Sequence, residues 1–155
     1  MTKLFNRSFY TEELNRLERS ILRPISAIFI DMNGLKTIND DFGHDVGDDL
    51  LRRMGNILNR TISNTSYTAS RIGGDEFVVM MPGADQKTVE SIILSVEELL
   101  NIDNQYYASQ PISIAIGYAT TQAHENIENM LRRADMLMYK KKKDYYQYFL
   151  EHEQS

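Results

Sequence analysis

The chain has 155 residues, of which 42% are apolar and 25% charged, and its formal net charge is −5. This length favours one domain with a substantial core, and the acidic balance argues against nonspecific nucleic-acid binding, which needs a basic face. The lack of cysteine excludes disulfides and thiolate sites, and no apolar run approaches the length of a membrane span. We therefore expect a single domain over residues 1–155, in the cytoplasm and without direct membrane contact.

Apolar periodicity in the first half of the chain predicts a helix, a strand and a longer helix. The first is a short amphipathic helix from Phe9 to Ile21, and residues 25–30 are typical of a buried strand. Asp31 to Gly34 stop this strand. From about 45 to 62, apolar residues recur at the spacing of one helix face.

The second half predicts a hairpin followed by alternating helices and strands. Residues 67–72 and 76–81 flank two glycines, and Pro82-Gly83 ends the second strand. The further predicted elements are a helix, a strand, a long helix and a final edge strand, at 89–100, 112–119, 127–137 and 145–149. With a short helix expected between the first strand and the longer helix, the order is α-β-α-α-β-β-α-β-α-β. This order indicates an α+β sandwich with a mixed, mainly antiparallel sheet of about five strands flanked by helices.

The most informative segment is the hairpin tip within Arg71 to Met80, where two glycines precede two carboxylates. Glycine adopts positive φ at little cost, which predicts a tight turn at Gly73-Gly74. Because the following strand is apolar, Asp75 and Glu76 are expected to lie close to the sheet. Paired carboxylates on a rigid backbone suit a hard divalent cation.

Asp31 ends an apolar strand, as Asp75 and Glu76 border another. If the two strands are neighbours, three carboxylates converge at one end of the sheet, which is costly unless a cation neutralises them. Taken alone, Asp31 is better explained as a residue that opens a turn and caps the next helix. Together with the hairpin acids, it favours a metal site.

The polar segment from Asn39 to Leu50 predicts a loop and a helix N-terminus. The helix dipole explains Asp45 and Asp49 without a ligand, and His44 is interpreted as a structural loop residue. Asp48 and Asn39 have a more specific interpretation. A carboxylate accepts two parallel hydrogen bonds from the guanine N1–H and amino group, whereas adenine presents an acceptor at that ring nitrogen.

Three basic residues lie near these motifs, at Lys36, Arg71 and Lys142. The neighbouring lysines of the last helix, Lys140, Lys141 and Lys143, are better explained as a solvated helix end, where cations are favourable.

Together these segments resemble the GGDEF domain, the catalytic domain of diguanylate cyclases. The resemblance covers nearly the whole chain and rests on five motifs in the family's order. They are Asn-Arg at the end of Thr2–Arg7, the segment Asp31–Asp40, Gly43-His44 with Gly47-Asp48, the signature Gly73–Phe77, and Ala134-Asp135 with Met138-Tyr139 and Lys142. Each motif alone is weak to moderate evidence, but five in order at family-like spacing are very specific.

The resemblance implies a cyclase-like fold and a reaction that condenses two GTP molecules to cyclic di-GMP with release of pyrophosphate. By position, it implies that Asp31, Asp75 and the Met32 carbonyl hold Mg²⁺, with Mn²⁺ as an alternative ion. Glu76 would assist as a second acidic ligand or as a base for the attacking 3′-hydroxyl.

The resemblance also implies contacts with the rest of the nucleotide. The residues expected to read guanine are Asn39 and Asp48, and those expected to contact the triphosphate are Lys36, Arg71 and Lys142. Each domain would hold one GTP and the product is two-fold symmetric, so the active state is expected to be a homodimer.

The sequence departs from the family pattern at three places. Asn64 and Tyr67 stand where many members carry an Arg-x-x-Asp motif, so we predict no product-inhibition site of that type. Tyr146 replaces an Arg that often follows the last-helix Lys by four residues, which predicts lower GTP affinity. Lys3 replaces the Gly of the N-terminal motif, inside which the chain starts. We expect a domain cut from a longer protein with an upstream sensor or dimerisation segment, in a parent that could be membrane-anchored.

Other functions remain open at this point. The chain could be a catalytically weak or inactive GTP-binding module that regulates an attached domain, or a cyclase with relaxed base choice, against which Asp48 argues. A purely structural domain has no explanation for carboxylates at both Asp31 and Asp75 with bases placed for phosphates.

Overall fold

The computed structural model describes residues 4–153, which form five helices and a four-stranded sheet. In chain order the elements are α1 (Arg7–Glu18), β1 (Ile25–Met32), α2 (Leu35–Phe42), α3 (His44–Thr61), β2 (Thr68–Arg71), β3 (Glu76–Pro82), α4 (Gln86–Tyr106), β4 (Ile114–Thr120) and α5 (Ile127–Glu153). None of the five described helices combines the length and the hydropathy that a membrane span requires. Thr2 and Lys3 of the N-terminal motif lie outside the described residues.

The strand order is β2-β3-β1-β4, and each of these neighbouring pairs is antiparallel. The expected mixed character is limited to a parallel bridge between Phe5 and Ser70. From β1 onward the chain follows the β-α-β-β-α-β connection of ferredoxin-like domains, with two helices in the first crossover. The α+β class is therefore confirmed, with four strands instead of about five.

The central strand β1 is buried along its whole length because helices cover both faces of the sheet. Its side chains alternate between the two faces, as the pleat requires. Ile28 and Ile30 pack on the face of α3 and α4, whereas Ala27 and Phe29 pack on the face of α1 and α5. By this alternation the side chain of Asp31 belongs to the face that α5 covers.

Residues 145–149 are helical, so the predicted edge strand is wrong. Aromatic residues favour strands only in the right packing context, and the chain from Ile127 to Glu153 contains no Gly or Pro to end the helix. The helix therefore continues through the lysine run.

Candidate active site

The carboxylates of the site lie at the end of the two central strands. Asp31 is the penultimate residue of β1 and is paired directly with Glu76, the first residue of β3. The Met32 N–H donates to the Asp75 carbonyl at 3.0 Å, which fixes the hairpin tip beside the end of β1. The predicted convergence of acidic residues from separate segments is thus present at one end of the sheet.

The hairpin tip is a four-residue connection from Arg71 to Glu76, closed by the Ile72 N–H donating to the Glu76 carbonyl at 3.0 Å. Positive φ angles occur at other glycines of the described chain but at neither Gly73 nor Gly74, so that part of the prediction is wrong. A Cβ on Gly73 would lie 3.2 Å from Oε2 of Glu76, the end of a flexible side chain, which would have to shift slightly to make room.

The N-terminal motif supports this tip from outside the sheet. The Asn6 side chain caps α1 by accepting from the Phe9 N–H at 3.0 Å. Arg7, the next residue, donates to the Ile72 carbonyl at 2.9 Å. The Asn-Arg pair therefore ties the start of the domain to the hairpin that carries Asp75.

Arg71 folds back on the same tip. Its guanidinium donates to the Gly74 carbonyl at 2.8 Å and to the Gly73 carbonyl at 3.2 Å. The Arg71 side chain remains exposed beside Asp75, at the rim of a cleft between the hairpin tip and the α2–α3 pair.

Lys142 of α5 reaches both carboxylates. Its Nζ lies 2.6 Å from Oδ1 of Asp31 and 3.6 Å from Oδ2 of Asp75. The exposed fractions of these three side chains are 21% for Lys142, 6% for Asp31 and 38% for Asp75. An ammonium group therefore lies between the two carboxylates that the sequence assigned to a metal.

Gly117 sets the height of α5 above the sheet. A Cβ on this residue of β4 would overlap the Ala134 carbonyl oxygen and the Met138 backbone nitrogen, so only glycine allows the helix backbone to come this close. Lys142 follows Met138 by one helical turn. Sequence reasoning missed this contact, although a glycine inside a predicted strand was the available signal.

Burial and charge shift the pKa values of both Asp31 and Lys142. Burial raises the pKa of Asp31, and the nearby Asp75 charge raises it further. The Lys142 ammonium lowers it, and together these effects bring the pKa of Asp31 to about 6. Burial lowers the pKa of Lys142, but its contacts with Asp31 and Asp75 more than offset this and leave the pKa raised. A charged Asp31 thus depends on a nearby cation.

A cleft of about 450 Å³ opens beside the carboxylates, between the hairpin tip and the α2–α3 pair. Five of the predicted site residues line it together. These are Lys36, Asn39, Asp48, Arg71 and Asp75. Asp31 and Lys142 lie at the adjoining end of the sheet, on the side covered by α5.

Tight packing of α2 against α3 holds the guanine-reading candidates. Gly43, at a φ of 93°, connects the two helices, and a Cβ on Gly47 would overlap the amide oxygen of Asn39. Within residues 4–153 that buried oxygen has no hydrogen-bond partner. Asp48 is exposed on α3, and both Asn39 and Asp48 line the same cleft.

The donor set at the strand end suits Mg²⁺ in its chemistry. Two carboxylates and a backbone carbonyl, from Asp31, Asp75 and Met32, are the oxygen ligands that this ion prefers. No group of three or more acidic or histidine side chains in the described range is arranged to hold a metal ion. Such a site would be completed by ligands from a substrate or water.

Three residues that depart from the family pattern, Asn64, Tyr67 and Tyr146, have defined surroundings in the structure. Asn64 has a φ of 64° in the turn after α3, and Tyr67 packs against the core. The Tyr146 hydroxyl lies 3.4 Å from the Gly34 N–H at the start of α2. Tyr146 thus reaches a backbone donor beside the cleft, in the place where the family often has Arg.

The fold and the strand-end site define a ferredoxin-like α+β domain with a carboxylate pair next to a polar cleft. The family model described as "Diguanylate cyclase, GGDEF domain" matches residues 1–146. The chain therefore belongs to the GGDEF domain family.

Known relatives agree with this assignment. The chain is 31% identical over 148 residues to "Probable diguanylate cyclase DgcT" of Escherichia coli (strain K12), covering 92% of this chain and 32% of the relative. It is 30% identical over 147 residues to the diguanylate cyclase DgcS of Shewanella oneidensis, covering 92% of this chain and 48% of the relative. The chain thus spans about a third to a half of the length of these relatives.

The same fold is found in solved structures. The crystal structure of the GGDEF domain of PA1120 (YfiN or TpbB) from Pseudomonas aeruginosa superposes with a TM-score of 0.77 at 28% identity. The match covers 93% of both chains.

Proposed function

We propose that this domain is a diguanylate cyclase, which condenses two GTP molecules into cyclic di-GMP with Mg²⁺ as cofactor. The observation that carries the proposal is that Asp31 and Asp75, from separate segments, both lie within 4 Å of the positive charge on Lys142. This carboxylate pair adjoins the cleft lined by Lys36, Asn39 and Asp48. Family membership and the diguanylate cyclases among the relatives support the same reaction.

In the proposed reaction, the 3′-hydroxyl oxygen of one GTP attacks the α-phosphorus of the other. The bond from that phosphorus to the pyrophosphate oxygen breaks, and the hydroxyl proton is released to Glu76 or to water. The same step in the opposite sense closes the ring, so two pyrophosphates leave for each cyclic di-GMP. Such transfers depend on alignment and charge neutralisation more than on covalent help from the protein.

The residues divide between the two ends of the nucleotide. Asp31, Asp75 and the Met32 carbonyl would hold the ion, which when bound supplies charge neutralisation at the phosphates. Lys36, Arg71 and Lys142 would contact the triphosphate. The carboxylate of Asp48 and the amide of Asn39 would pair with the guanine edge, and Glu76 stands next to Asp31 to assist at the hydroxyl.

Two domains must cooperate, because each would hold one GTP and the product has two-fold symmetry. We expect the active state to be a homodimer in which two clefts face each other. A segment outside this chain would bring the domains together in the parent protein, and a single domain should turn over slowly because encounter limits it.

The decisive experiment uses the chain fused at its N-terminus to a parallel coiled-coil dimeriser. Incubation with GTP and Mg²⁺ should give cyclic di-GMP and pyrophosphate in a 1:2 ratio, measured by chromatography with mass detection. Asp75→Asn should lower the rate by more than about 100-fold, or about 3 kcal/mol in the barrier. The matched control is Asp45→Asn, an exposed acid in the first turn of α3, which should retain activity.

The alternative is a noncatalytic GTP-binding module, which would bind GTP without forming cyclic di-GMP. Tyr146 at the position of a common phosphate-binding Arg is the observation that favours it. GTP binding without product in the dimeric fusion would establish the module and exclude the cyclase, whereas full turnover of Asp75→Asn would exclude the metal assignment.

A further inference from the structure

The site contains its own cation. Lys142 Nζ is within 4 Å of a carboxylate oxygen from each of Asp31 and Asp75, at 2.6 and 3.6 Å. The two carboxylates come from different segments, a strand end and a hairpin tip, and would repel each other across the end of the sheet without a positive charge. Lys142 therefore neutralises the pair when no metal is present.

An ammonium group and a divalent cation cannot share this position. Both would compete for Oδ1 of Asp31 and Oδ2 of Asp75, the oxygens nearest Lys142 Nζ, and two positive charges held this close repel each other. Binding of a metal to these oxygens requires that Lys142 leave them.

Packing holds the backbone of α5 in place, whereas the side chain of Lys142 can leave the carboxylates by rotating about its own bonds. The close approach of α5 at Gly117 fixes Met138, one turn before Lys142. The lysine itself ends in a compact charge on a flexible four-carbon stem. Its departure thus needs a change of rotamer and a new anionic partner but no shift of α5.

We propose that Lys142 is a placeholder cation, which competes with the divalent metal for Asp31 and Asp75 until a triphosphate offers it another partner. This inference rests on the proposed function, because it takes the two carboxylates as metal ligands. The nucleotide-free domain then binds metal weakly, and nucleotide and metal strengthen each other's binding, a coupling that is reciprocal by linkage.

The test measures Mn²⁺ binding to the nucleotide-free protein, by titration calorimetry and by electron paramagnetic resonance of the free ion. Lys142→Met should bind Mn²⁺ at least about tenfold more tightly than the native chain, which corresponds to about 1.4 kcal/mol. Lys141→Met is the matched control, since it removes the same charge from the adjacent, exposed position of α5. It should change the affinity less than about twofold.

A double variant tests whether the added Mn²⁺ affinity of Lys142→Met depends on the carboxylate of Asp31. Adding Asp31→Asn to Lys142→Met should abolish the added affinity. Lys142→Gln repeats the measurement with a polar side chain, should the methionine variant fold poorly. A non-hydrolysable GTP analogue should raise Mn²⁺ affinity more in the native chain than in Lys142→Met.

The outcomes separate this inference from the proposed function. If the dimeric fusion makes cyclic di-GMP but Lys142→Met gains no more affinity than Lys141→Met, the placeholder role is wrong and the cyclase stands. If Lys142→Met binds Mn²⁺ tightly through Asp31 and the fusion makes no product, the placeholder role stands without the cyclase. Mn²⁺ binding that ignores Asp31→Asn overturns the inference.

Discussion

Gly117 of β4 and Met138 of α5 meet backbone to backbone, so that a single added methyl group would overlap the helix. This contact has no part in binding a nucleotide, yet it sets the distance from which Lys142 reaches Asp31. The site thus depends on a residue of the sheet that carries no functional group.

Gly117→Ala should destabilise the domain by about 1–3 kcal/mol, because the helix backbone cannot yield as a flexible side chain would. We expect a lower urea midpoint and, in the dimeric fusion, a lower rate of product formation. Gly74→Ala is the matched control for stability, since a Cβ there meets nothing within 4 Å, and its effect should stay within about 0.5 kcal/mol. Unchanged urea midpoints for both variants would contradict the close-packing argument.

Asp48→Asn should weaken GTP binding by about 1.5–3 kcal/mol, because an amide cannot accept both guanine hydrogen bonds. Calorimetry with a non-hydrolysable GTP analogue and Mg²⁺ measures this loss. Inosine triphosphate, which lacks the amino group, should bind the native chain more weakly than GTP and should lose less on the substitution. Equal losses for the guanosine, inosine and adenosine nucleotides would show that Asp48 does not read the base.

Tyr146→Arg should increase GTP affinity by about tenfold, because a guanidinium can form paired, charge-assisted hydrogen bonds with phosphate oxygens. Tyr146→Phe removes only the hydroxyl that lies 3.4 Å from the Gly34 N–H, and it should change the affinity little. The same calorimetric titration compares the three proteins. An arginine variant that binds no better than the native chain would place the triphosphate away from this turn of α5.

Cyclic di-GMP should not inhibit the dimeric fusion at a site distinct from the GTP cleft, because Asn64 and Tyr67 lack the charges of the Arg-x-x-Asp motif. Kinetics at rising GTP measure this: any product inhibition should be purely competitive. Noncompetitive inhibition would reveal a second site. Restoring the motif by Asn64→Arg with Tyr67→Asp should be destabilising, since position 64 has a φ of 64° and Tyr67 packs against the core.

Sequence periodicity was sufficient for most of the fold. Buried strands such as β1 and one-sided helices such as α3 have patterns that tertiary packing reinforces, so their predicted and observed ranges nearly coincide. Residues 145–149 were misassigned because aromatic side chains carry a strand preference that a helix can override in the absence of a breaker. Ile21 falls beyond α1 and is almost fully exposed, which its apolar character did not indicate.

The site was only partly accessible from the sequence. Asp31, Asp75 and Glu76 could be brought together because each stands at a strand boundary, and strand pairing places such boundaries side by side. The contact of Lys142 with Asp31 could not be predicted, because it depends on the height and rotation of α5 over the sheet. The φ angles at Gly73 and Gly74 were also not predictable, because a four-residue connection admits turns without positive φ.

The two carboxylates that share Lys142 differ in how firmly the backbone carries them. Asp31 lies in the central strand β1 and has a ladder partner on each side, Glu76 and Ala115. Its position can therefore shift only if the pairing of β1 with its two neighbouring strands is disrupted. Asp75 belongs to a short surface connection. If the distance between the carboxylate oxygens of Asp31 and Asp75 adjusts to ions of different radius, the movement must therefore come from the hairpin that carries Asp75. Amide hydrogen exchange should accordingly be slow at Asp31 and fast at Gly74.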